Sequence, residues 1–192
     1  MASETFYSPK APVRWAHLTN ADEYEGKWSY SCELVLSNDN PAHAAFLERL
    51  EAEFIALHGA KKARSSKGTP WKADKDDASR TVVRFKANRF ENPDGTYSKG
   101  PRIVDAKKGA WDGREIGNGS ILIIGFTCYP WNRSEGCGIT LQPKACQVVE
   151  FIAREDAGDA VADGFEEQEG GFSVADSSSY VDEFSSEEEP PF

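Results

Sequence analysis

Aromatic and basic residues are interleaved between residues 61 and 114 of the chain. Trp71, for example, lies between Lys67 and Lys72. Cationic side chains neutralise phosphates and flat aromatic rings stack on unpaired bases, and a site for single-stranded nucleic acid needs both. The full set of candidate contacts is Lys61, Lys62, Arg64, Lys67, Trp71, Lys72, Arg80, Arg84, Lys86, Arg89, Phe90, Tyr97, Lys99, Arg102, Lys107, Lys108, Trp111 and Arg114.

The segment RTVVRFKANRF (residues 80–90) carries the clearest part of this pattern. Its residues alternate with a period of two, which is typical of a strand with one buried face. Arg80, Arg84 and Lys86 share the other face. For any one of these residues, an ordinary charged surface explains the pattern about as well as binding does. The density of cations and rings over the whole region favours binding.

A catalytic or metal site is not indicated. The three histidines lie in no motif for acid–base chemistry or metal binding, and the four cysteines show no C-x-x-C spacing. We read the cysteines as free thiols on strands. Asp74, Asp76 and Asp77 lie in a lysine-bearing segment and read as solvated charges. We therefore predict no catalytic residue, no metal, no cofactor and no enzymatic activity.

The net charge of −10 conceals two segments of opposite sign. Residues 155–192 contain 13 acidic and no basic residues, whereas residues 1–154 contain 22 basic and 19 acidic residues and carry +3. Within residues 61–114 the balance is 15 basic to 7 acidic, or +8. The sequence predicts a folded domain over 1–154 and a disordered acidic tail over 155–192, because few apolar groups offset the entropy of ordering a self-repelling chain.

The sequence gives no sign of a membrane protein or of a secreted one. Its strongest apolar run, ILIIGF at residues 121–126, is far shorter than the ~20 residues that span a bilayer. The amino-terminal residues lack a basic segment followed by an apolar stretch. We expect a cytoplasmic protein with no membrane partner.

The elements that must position the candidate residues are mainly strands. The apolar pattern predicts strands near residues 13–18, 28–36, 80–88, 102–107 and 121–129, and a final pair near 138–141 and 145–152. Residues 60–79 have no apolar period and are predicted to be a long basic loop that orders when a nucleic acid binds.

One helix is predicted between the early strands. Asn40 suits the N-cap, Pro41 the first helical position and Gly59 the C-terminal stop. Its buried face is predicted to contain Phe46, Leu47, Leu50, Phe54 and Leu57.

These elements predict an all-β fold with one α-helix, in the form of a closed or partly closed antiparallel barrel. A β-sandwich is the competing architecture, since periodicity alone does not distinguish the two.

The chain resembles a known family in two places. Its last residues, EEEPPF, resemble the acidic tail of bacterial single-stranded DNA-binding proteins, and that of the T7-type phage single-stranded DNA-binding proteins, which both end in Phe. In the body, GNGSILIIGFTCYPW (117–131) and GCGITLQPKACQVVEF (136–151) resemble the later strands of phage OB-fold single-strand binders. The likeness covers essentially the whole chain.

The resemblance implies an OB-fold that coats single-stranded DNA in phage replication and recombination without sequence preference. It also implies that the tail recruits replication and recombination proteins and competes with DNA for the basic groove. The matching tail residues are Glu187, Glu188, Glu189, Pro190, Pro191 and Phe192. A monomer and a dimer both remain open. The competing hypotheses are a β-sandwich binding or virion-associated protein with a solubilising tail, and a nuclease.

Overall fold

The computed structural model describes residues 4–60 and 62–154. Three predictions therefore lie outside the described residues: the nucleic-acid contact by Lys61, the disordered tail over 155–192, and the partner motif from Glu187 to Phe192.

The described residues form eight strands and one helix, joined by loops. The order is β1 (Phe6–Tyr7), β2 (Ala11–Tyr24), β3 (Lys27–Ser37), α1 (Pro41–His58), β4 (Trp71–Ala73), β5 (Arg80–Asn88), β6 (Arg102–Val104), β7 (Ile121–Arg133) and β8 (Gly136–Glu150). The predicted predominance of strands with a single helix between early strands is confirmed.

All eight strands belong to one sheet, and its pairings return to their starting point. β7 pairs with β2, β2 with β3 and β3 with β5, all antiparallel. β5 pairs with β8 in parallel through Phe85 and Leu141, and β6 with β8 also in parallel, so the predicted all-antiparallel arrangement is wrong at these two pairings. β8 then pairs with β7 along almost its whole length. The short strands β1, β4 and β6 extend this circuit at β7, β5 and β8. Such a single sheet differs from the two stacked sheets that a β-sandwich would need.

The period-two pattern predicts the buried and exposed faces of β5, and its neighbour β3 alternates in the same way around Cys32 and Leu34. Cys32 and Leu34 of β3 and Val83 and Phe85 of β5 are at most 1% exposed, and they pack in the core. Arg84, between the two buried β5 residues, is exposed. The core thus lies inside the strand circuit, and the cations of β5 lie outside it.

The helix begins and ends where its capping residues predict. The Asn40 side-chain oxygen accepts a hydrogen bond from the Ala42 N–H at 2.9 Å, and the Gly59 N–H donates to the Ile55 carbonyl at 2.7 Å. The prediction for Leu57 is wrong, because this side chain is 39% exposed. The buried stripe runs at intervals of four residues, and His58 rather than Leu57 continues it, with Nε2 2.9 Å from the Gly138 carbonyl.

The two strands predicted at the end of the domain are one strand, β8. Pro143 interrupts the apolar pattern in the sequence, yet it lies inside the strand and opposite Phe126. The register of the β7–β8 ladder shifts here, because Gly125 pairs with Ala145 and Phe126 with Pro143, which leaves Lys144 of β8 as a bulge residue next to the proline. A bulge is one of the few places where a sheet accepts a residue without an N–H, so the strand continues through it.

Two other strands differ from their predicted bounds. β2 runs from Ala11 to Tyr24 and is much longer than the predicted 13–18. β6 ends at Val104, because a tight turn held by the Asp105 side chain follows immediately. No helix among the described residues is both long and apolar enough to cross a membrane.

The cysteines are free thiols, as predicted, and Cys32, Cys137 and Cys146 are buried. Burial raises the pKa of the Cys146 thiol to about 12, and that of the half-buried Cys128 to about 11. These thiols are therefore neutral at ordinary pH.

Candidate nucleic-acid interface

A groove of about 800 Å³ crosses the outer face of the sheet over β3, β5, β7 and β8. Its lining combines cationic, aromatic and small polar side chains. Of the predicted contacts it brings together Lys67, Trp71, Lys72, Arg84 and Lys86.

The cations of β5 enter the groove because the strand alternates. Val82, Arg84, Lys86 and Asn88 are successive outward residues of this strand, and all four line the groove. Their even spacing forms a row along the groove floor, with about 6.6 Å between neighbouring positions. Arg80 shares this face but does not line the groove, and its Nε lies 2.9 Å from an Asp77 carboxylate oxygen.

Three functional candidates at the end of β7 were missed at the sequence level: Tyr129, Trp131 and Arg133 line the groove. Tyr129 is 56% exposed, and the Arg133 guanidinium lies 5.1 Å from the centre of the Trp131 ring. Their i, i+2, i+4 spacing was a usable signal. It was hidden because the predicted strand stopped at Tyr129, whereas β7 continues to Arg133.

The Trp131 ring lies against the backbone at Gly138, and Gly68 lies close to the same glycine. Gly138 lies opposite Trp131 in the β7–β8 ladder. A Cβ atom added at Gly138 would collide with the indole ring and would come within 2.6 Å of the Gly68 Cα. The ring therefore lies directly on the backbone, in a position that any larger residue at 138 would disturb.

The segment predicted as a long unordered loop forms one wall of the groove. The Ser65 N–H donates to the Cys137 carbonyl at 3.0 Å, and the Ile139 N–H donates to the Gly68 carbonyl at 2.9 Å. Further along, Trp71 pairs with Val83 as part of β4. The predicted loop is wrong at Trp71–Ala73, which form β4. Elsewhere the segment is a loop held against β8 by backbone hydrogen bonds, which leave no periodic trace in the sequence. Its ordering on nucleic-acid binding stays a prediction.

The groove has a positive charge balance. Five cationic residues line it, Lys67, Lys72, Arg84, Lys86 and Arg133, against two carboxylates, Glu33 and Glu135. Each carboxylate lies beside a cation: Glu33 is the cross-strand partner of Arg84, and Glu135 lies 3.9 Å from Arg133. Glu33 makes no salt bridge with Arg84, so Lys67, Lys72, Arg84 and Lys86 are available for an anionic ligand.

A second group of predicted residues forms a separate aromatic cluster. The Arg89 guanidinium lies 4.3 Å from the centre of the Tyr97 ring and 5.7 Å from that of Trp28. Phe90, the next residue, is 62% exposed. This cluster follows directly on β5, beyond the groove residue Asn88.

Arg64 makes intramolecular contacts with the helix. It makes a two-pronged ion pair with Glu51, and its guanidinium lies 4.2 Å from the centre of the Phe54 ring. Hydrogen bonding from Arg64 lowers the pKa of the Glu51 carboxyl below its ordinary value. The charge of Arg64 is therefore already satisfied within the fold.

Trp111 and Arg114 also have intramolecular partners. Trp111 is partly buried against the core, 5.2 Å from the Phe151 ring, and its Nε1 donates to the Arg114 carbonyl at 2.9 Å. Arg114 pairs with Asp112, and this hydrogen bond lowers the pKa of the Asp112 carboxyl.

The other predicted residues are divided between a second depression and the open surface. Arg102 and Lys108 line a smaller depression of about 260 Å³. Lys62, Lys99 and Lys107 are exposed and line neither feature.

Asp74 differs from its predicted state. It is buried rather than solvated, and its carboxylate lies 2.9 Å from an Arg14 guanidinium nitrogen. Among residues 4–60 and 62–154, no cluster of three or more histidine, cysteine or carboxylate side chains could hold a metal ion.

The fold is similar to that of phage single-stranded DNA-binding proteins. Gp2.5, a single-stranded DNA-binding protein encoded by bacteriophage T7, superposes with a TM-score of 0.64 at 19% identity, over 90% of this chain and 100% of that one. The single-stranded DNA-binding protein from bacteriophage Enc34 superposes with a TM-score of 0.60 at 12% identity, over 81% of this chain and 86% of that one.

The Enc34 protein in complex with single-stranded DNA gives a TM-score of 0.61 at 12% identity, over 79% of this chain and 89% of that one. Neither a protein-family model nor a curated protein sequence matches the chain. The resemblance to phage single-stranded DNA-binding proteins is thus confirmed at the level of the fold.

Proposed function

We propose that this protein binds single-stranded DNA without sequence preference, in the groove over β3, β5, β7 and β8. The observation that carries the proposal is the composition of this groove. Trp71, Tyr129 and Trp131 supply π-surfaces, and the row of Arg84 and Lys86 supplies cations on the same outer face. Stacking and phosphate neutralisation are the two interactions that sequence-tolerant single-strand binding requires.

The strand circuit supports the assignment of an OB-type barrel as the scaffold of this site. Its closure through β7 and β8, with a helix between β3 and β5, agrees with the small barrels that bind oligonucleotides on an outer sheet face. The fold shared with two phage proteins that bind single-stranded DNA points the same way.

A fluorescence titration tests the proposal. Two of the five tryptophans, Trp71 and Trp131, line the groove, so oligo-dT is expected to quench the emission. The log of the affinity should fall with the log of the salt concentration, with a slope of about −0.7 for each phosphate neutralised. The same titration with Mg²⁺ should show no cleavage of the oligonucleotide, since we propose a binding protein rather than a nuclease. A lack of quenching and of any mobility shift at low salt would rule the proposal out.

The wider role follows from the same proposal. The protein would coat and protect single-stranded DNA during phage replication and recombination, in the cytoplasm of the host cell. The sequence motif from Glu187 to Phe192 would recruit replication and recombination proteins, because an apolar pocket with a basic rim suits a terminal Phe preceded by anions.

A point substitution tests the recruitment. Phe192→Ala should leave the affinity for oligo-dT unchanged and should abolish the capture of replication proteins from an infected-cell extract. Glu187→Ala serves as the matched control, since it removes one charge and keeps the ring. Equal capture by the Phe192→Ala variant and the parent would show that the terminal ring is not the recognition element.

A further inference from the structure

A row of four paired residues crosses the outer face of the sheet at the other end of the β7–β8 hairpin. Tyr7 of β1 pairs with Gly125 of β7, Gly125 with Ala145 of β8, and Ala145 with Arg102 of β6. The two smallest side chains in the row stand between the two largest. The result is a trough with a flat floor of glycine and alanine, and this is the 260 Å³ depression described above.

The two walls of the trough differ in chemistry. Tyr7 is 64% exposed, and its ring lies against Gly125, where an added Cβ would be 3.0 Å from the ring carbon Cε1. Arg102 stands on the opposite side, three strand spacings or about 14 Å away. One wall therefore offers an aromatic face, and the other offers a guanidinium.

Lys108 adds a second cation, which a rigid turn holds in place. The Asp105 carboxylate accepts hydrogen bonds from the Lys107 N–H at 2.8 Å and the Gly109 N–H at 2.7 Å. Lys108 itself has a φ of 67°, the left-handed conformation that such a tight turn imposes. The backbone at Lys108 is thus held by the turn before any ligand arrives, so binding costs little backbone entropy at this position.

None of the described residues that line the trough is acidic, whereas two carboxylates line the groove. The nearby Asp105 carboxylate is engaged by backbone N–H groups. A trough with an exposed ring and two uncompensated cations is complementary to a base linked to a phosphate.

The trough also lies on the same outer face as the groove. Trp131 and Gly125 are six residues apart on β7, or about 20 Å along the strand. Gln142 is the groove residue nearest to the trough along β8, and its cross-strand partner is Thr127. The exposed Lys144 lies between Gln142 and the trough residue Ala145. A single strand of DNA that leaves the groove along the β7–β8 hairpin would therefore pass Lys144 before it reaches the trough.

We infer that the trough is a second contact site for the same single strand of DNA, with Tyr7 stacking on a base and Arg102 and Lys108 binding phosphates. This inference rests on the proposed function of the groove. It predicts that the protein covers a longer stretch of DNA than the groove alone would.

The double variant Tyr7→Ala/Lys108→Ala tests the inference with oligo-dT of two lengths. A single OB domain covers roughly 4–16 nucleotides, so oligomers of about 5 and about 16 nucleotides probe the groove alone and the groove plus trough. The variant should lose about fivefold or more in affinity for the longer oligomer, and it should match the parent on the shorter one. Quenching of Trp71 and Trp131 reports the binding in both proteins, because the groove is unchanged.

A matched control removes the same residue types elsewhere. Tyr24→Ala/Lys75→Ala deletes an exposed tyrosine and an exposed lysine that line neither feature, and it should leave both affinities unchanged. Since all four side chains are exposed, both double variants should fold, and their thermal unfolding midpoints check this.

Several results would overturn the inference. Unchanged affinity of the trough variant for both oligomers contradicts it, as does an equal loss for both or an equal loss in the control. Binding of the octapeptide SSEEEPPF that depends on Tyr7, with DNA affinity unaffected, would assign the trough to acidic peptides instead. If the parent binds neither oligomer, the proposed function fails and the inference falls with it. If the parent binds both oligomers but the trough variant shows no length-dependent loss, the inference fails and the groove assignment stands.

Discussion

The two faces of the β7–β8 hairpin carry different kinds of aromatic residue. On the inner face, Phe126 lies 5.2 Å from Phe85 and 5.8 Å from Phe6, ring centre to ring centre, within the core. On the outer face, Tyr129 and Trp131 line the groove beside cations. Both faces are rich in rings, so ring content does not separate core from binding surface. The rings of the core and those of the groove differ in their neighbours. The inner rings contact apolar side chains, whereas the outer rings lie beside cations and glycine backbone.

The largest expected effect tests the inner face. Leu141 is fully buried, and Leu141→Ala should lower the free energy of unfolding by about 2–5 kcal/mol, because it leaves a cavity in the core. Its neighbour Thr140 lines the groove, so Thr140→Ala should change the stability by less than about 1 kcal/mol. Urea unfolding measures both, and equal losses would contradict the division of the two faces.

The next effect tests the outer face. Trp131→Ala should weaken binding of oligo-dT by about 5- to 150-fold, which corresponds to the 1–3 kcal/mol that base stacking contributes. Trp15→Ala is the matched control, since Trp15 is 62% exposed and lies outside the groove lining. The anisotropy of a labelled oligonucleotide gives both affinities. A similar loss in the two variants would show that Trp131 has no special role.

A third effect concerns the inner-face thiol of Cys146. Its pKa is raised to about 12 by burial, whereas an unfolded cysteine titrates near ~8.5. The contribution of the buried neutral thiol to the free energy of unfolding is therefore fully present at a pH below the pKa of the unfolded cysteine. It is lost as the pH rises from there towards 12. At pH 10 the stability difference between the parent and Cys146→Ala should be smaller than at pH 7 by about 1–2 kcal/mol. A difference that is independent of pH would contradict the burial argument.

The smallest effect compares two arginines. Arg84→Ala should reduce the salt dependence of DNA binding by about 0.7 in log–log slope, because one phosphate contact is lost. Arg64→Ala should leave that slope unchanged, since its guanidinium already binds Glu51 and Phe54. Titrations at three salt concentrations measure the slopes. An equal change of slope in both variants would mean that the total charge of the protein, rather than cations without an intramolecular partner, sets the salt dependence.

Local signals in the sequence predicted much of the scaffold. Asn40 and Gly59 mark the ends of the helix because capping depends on neighbouring residues alone. The alternation around Arg84 identified a cationic strand face for the same reason.

Contacts between distant residues account for what the sequence did not reveal. Arg64 and Arg84 look alike in the chain, and only the fold shows that one of them faces Glu51. The wall formed by Ser65 and Gly68 depends on hydrogen bonds to residues 137 and 139, which no periodic pattern records. Tyr129 and Trp131 share a visible spacing, but the position of the Trp131 ring depends on Gly138, which lies opposite it in β8.

The closed circuit of strand pairings bears on the proposed function, in which many copies would crowd along one DNA molecule. An exposed strand edge is a template on which a second chain can add its own strand, and high local concentration promotes such addition. Here β1, β4 and β6, the strands that extend the circuit, are only two or three residues long. These three strands therefore offer a second chain little open backbone to pair with. In the proposed function, neighbouring copies on the DNA would associate and dissociate without adding strands at these edges.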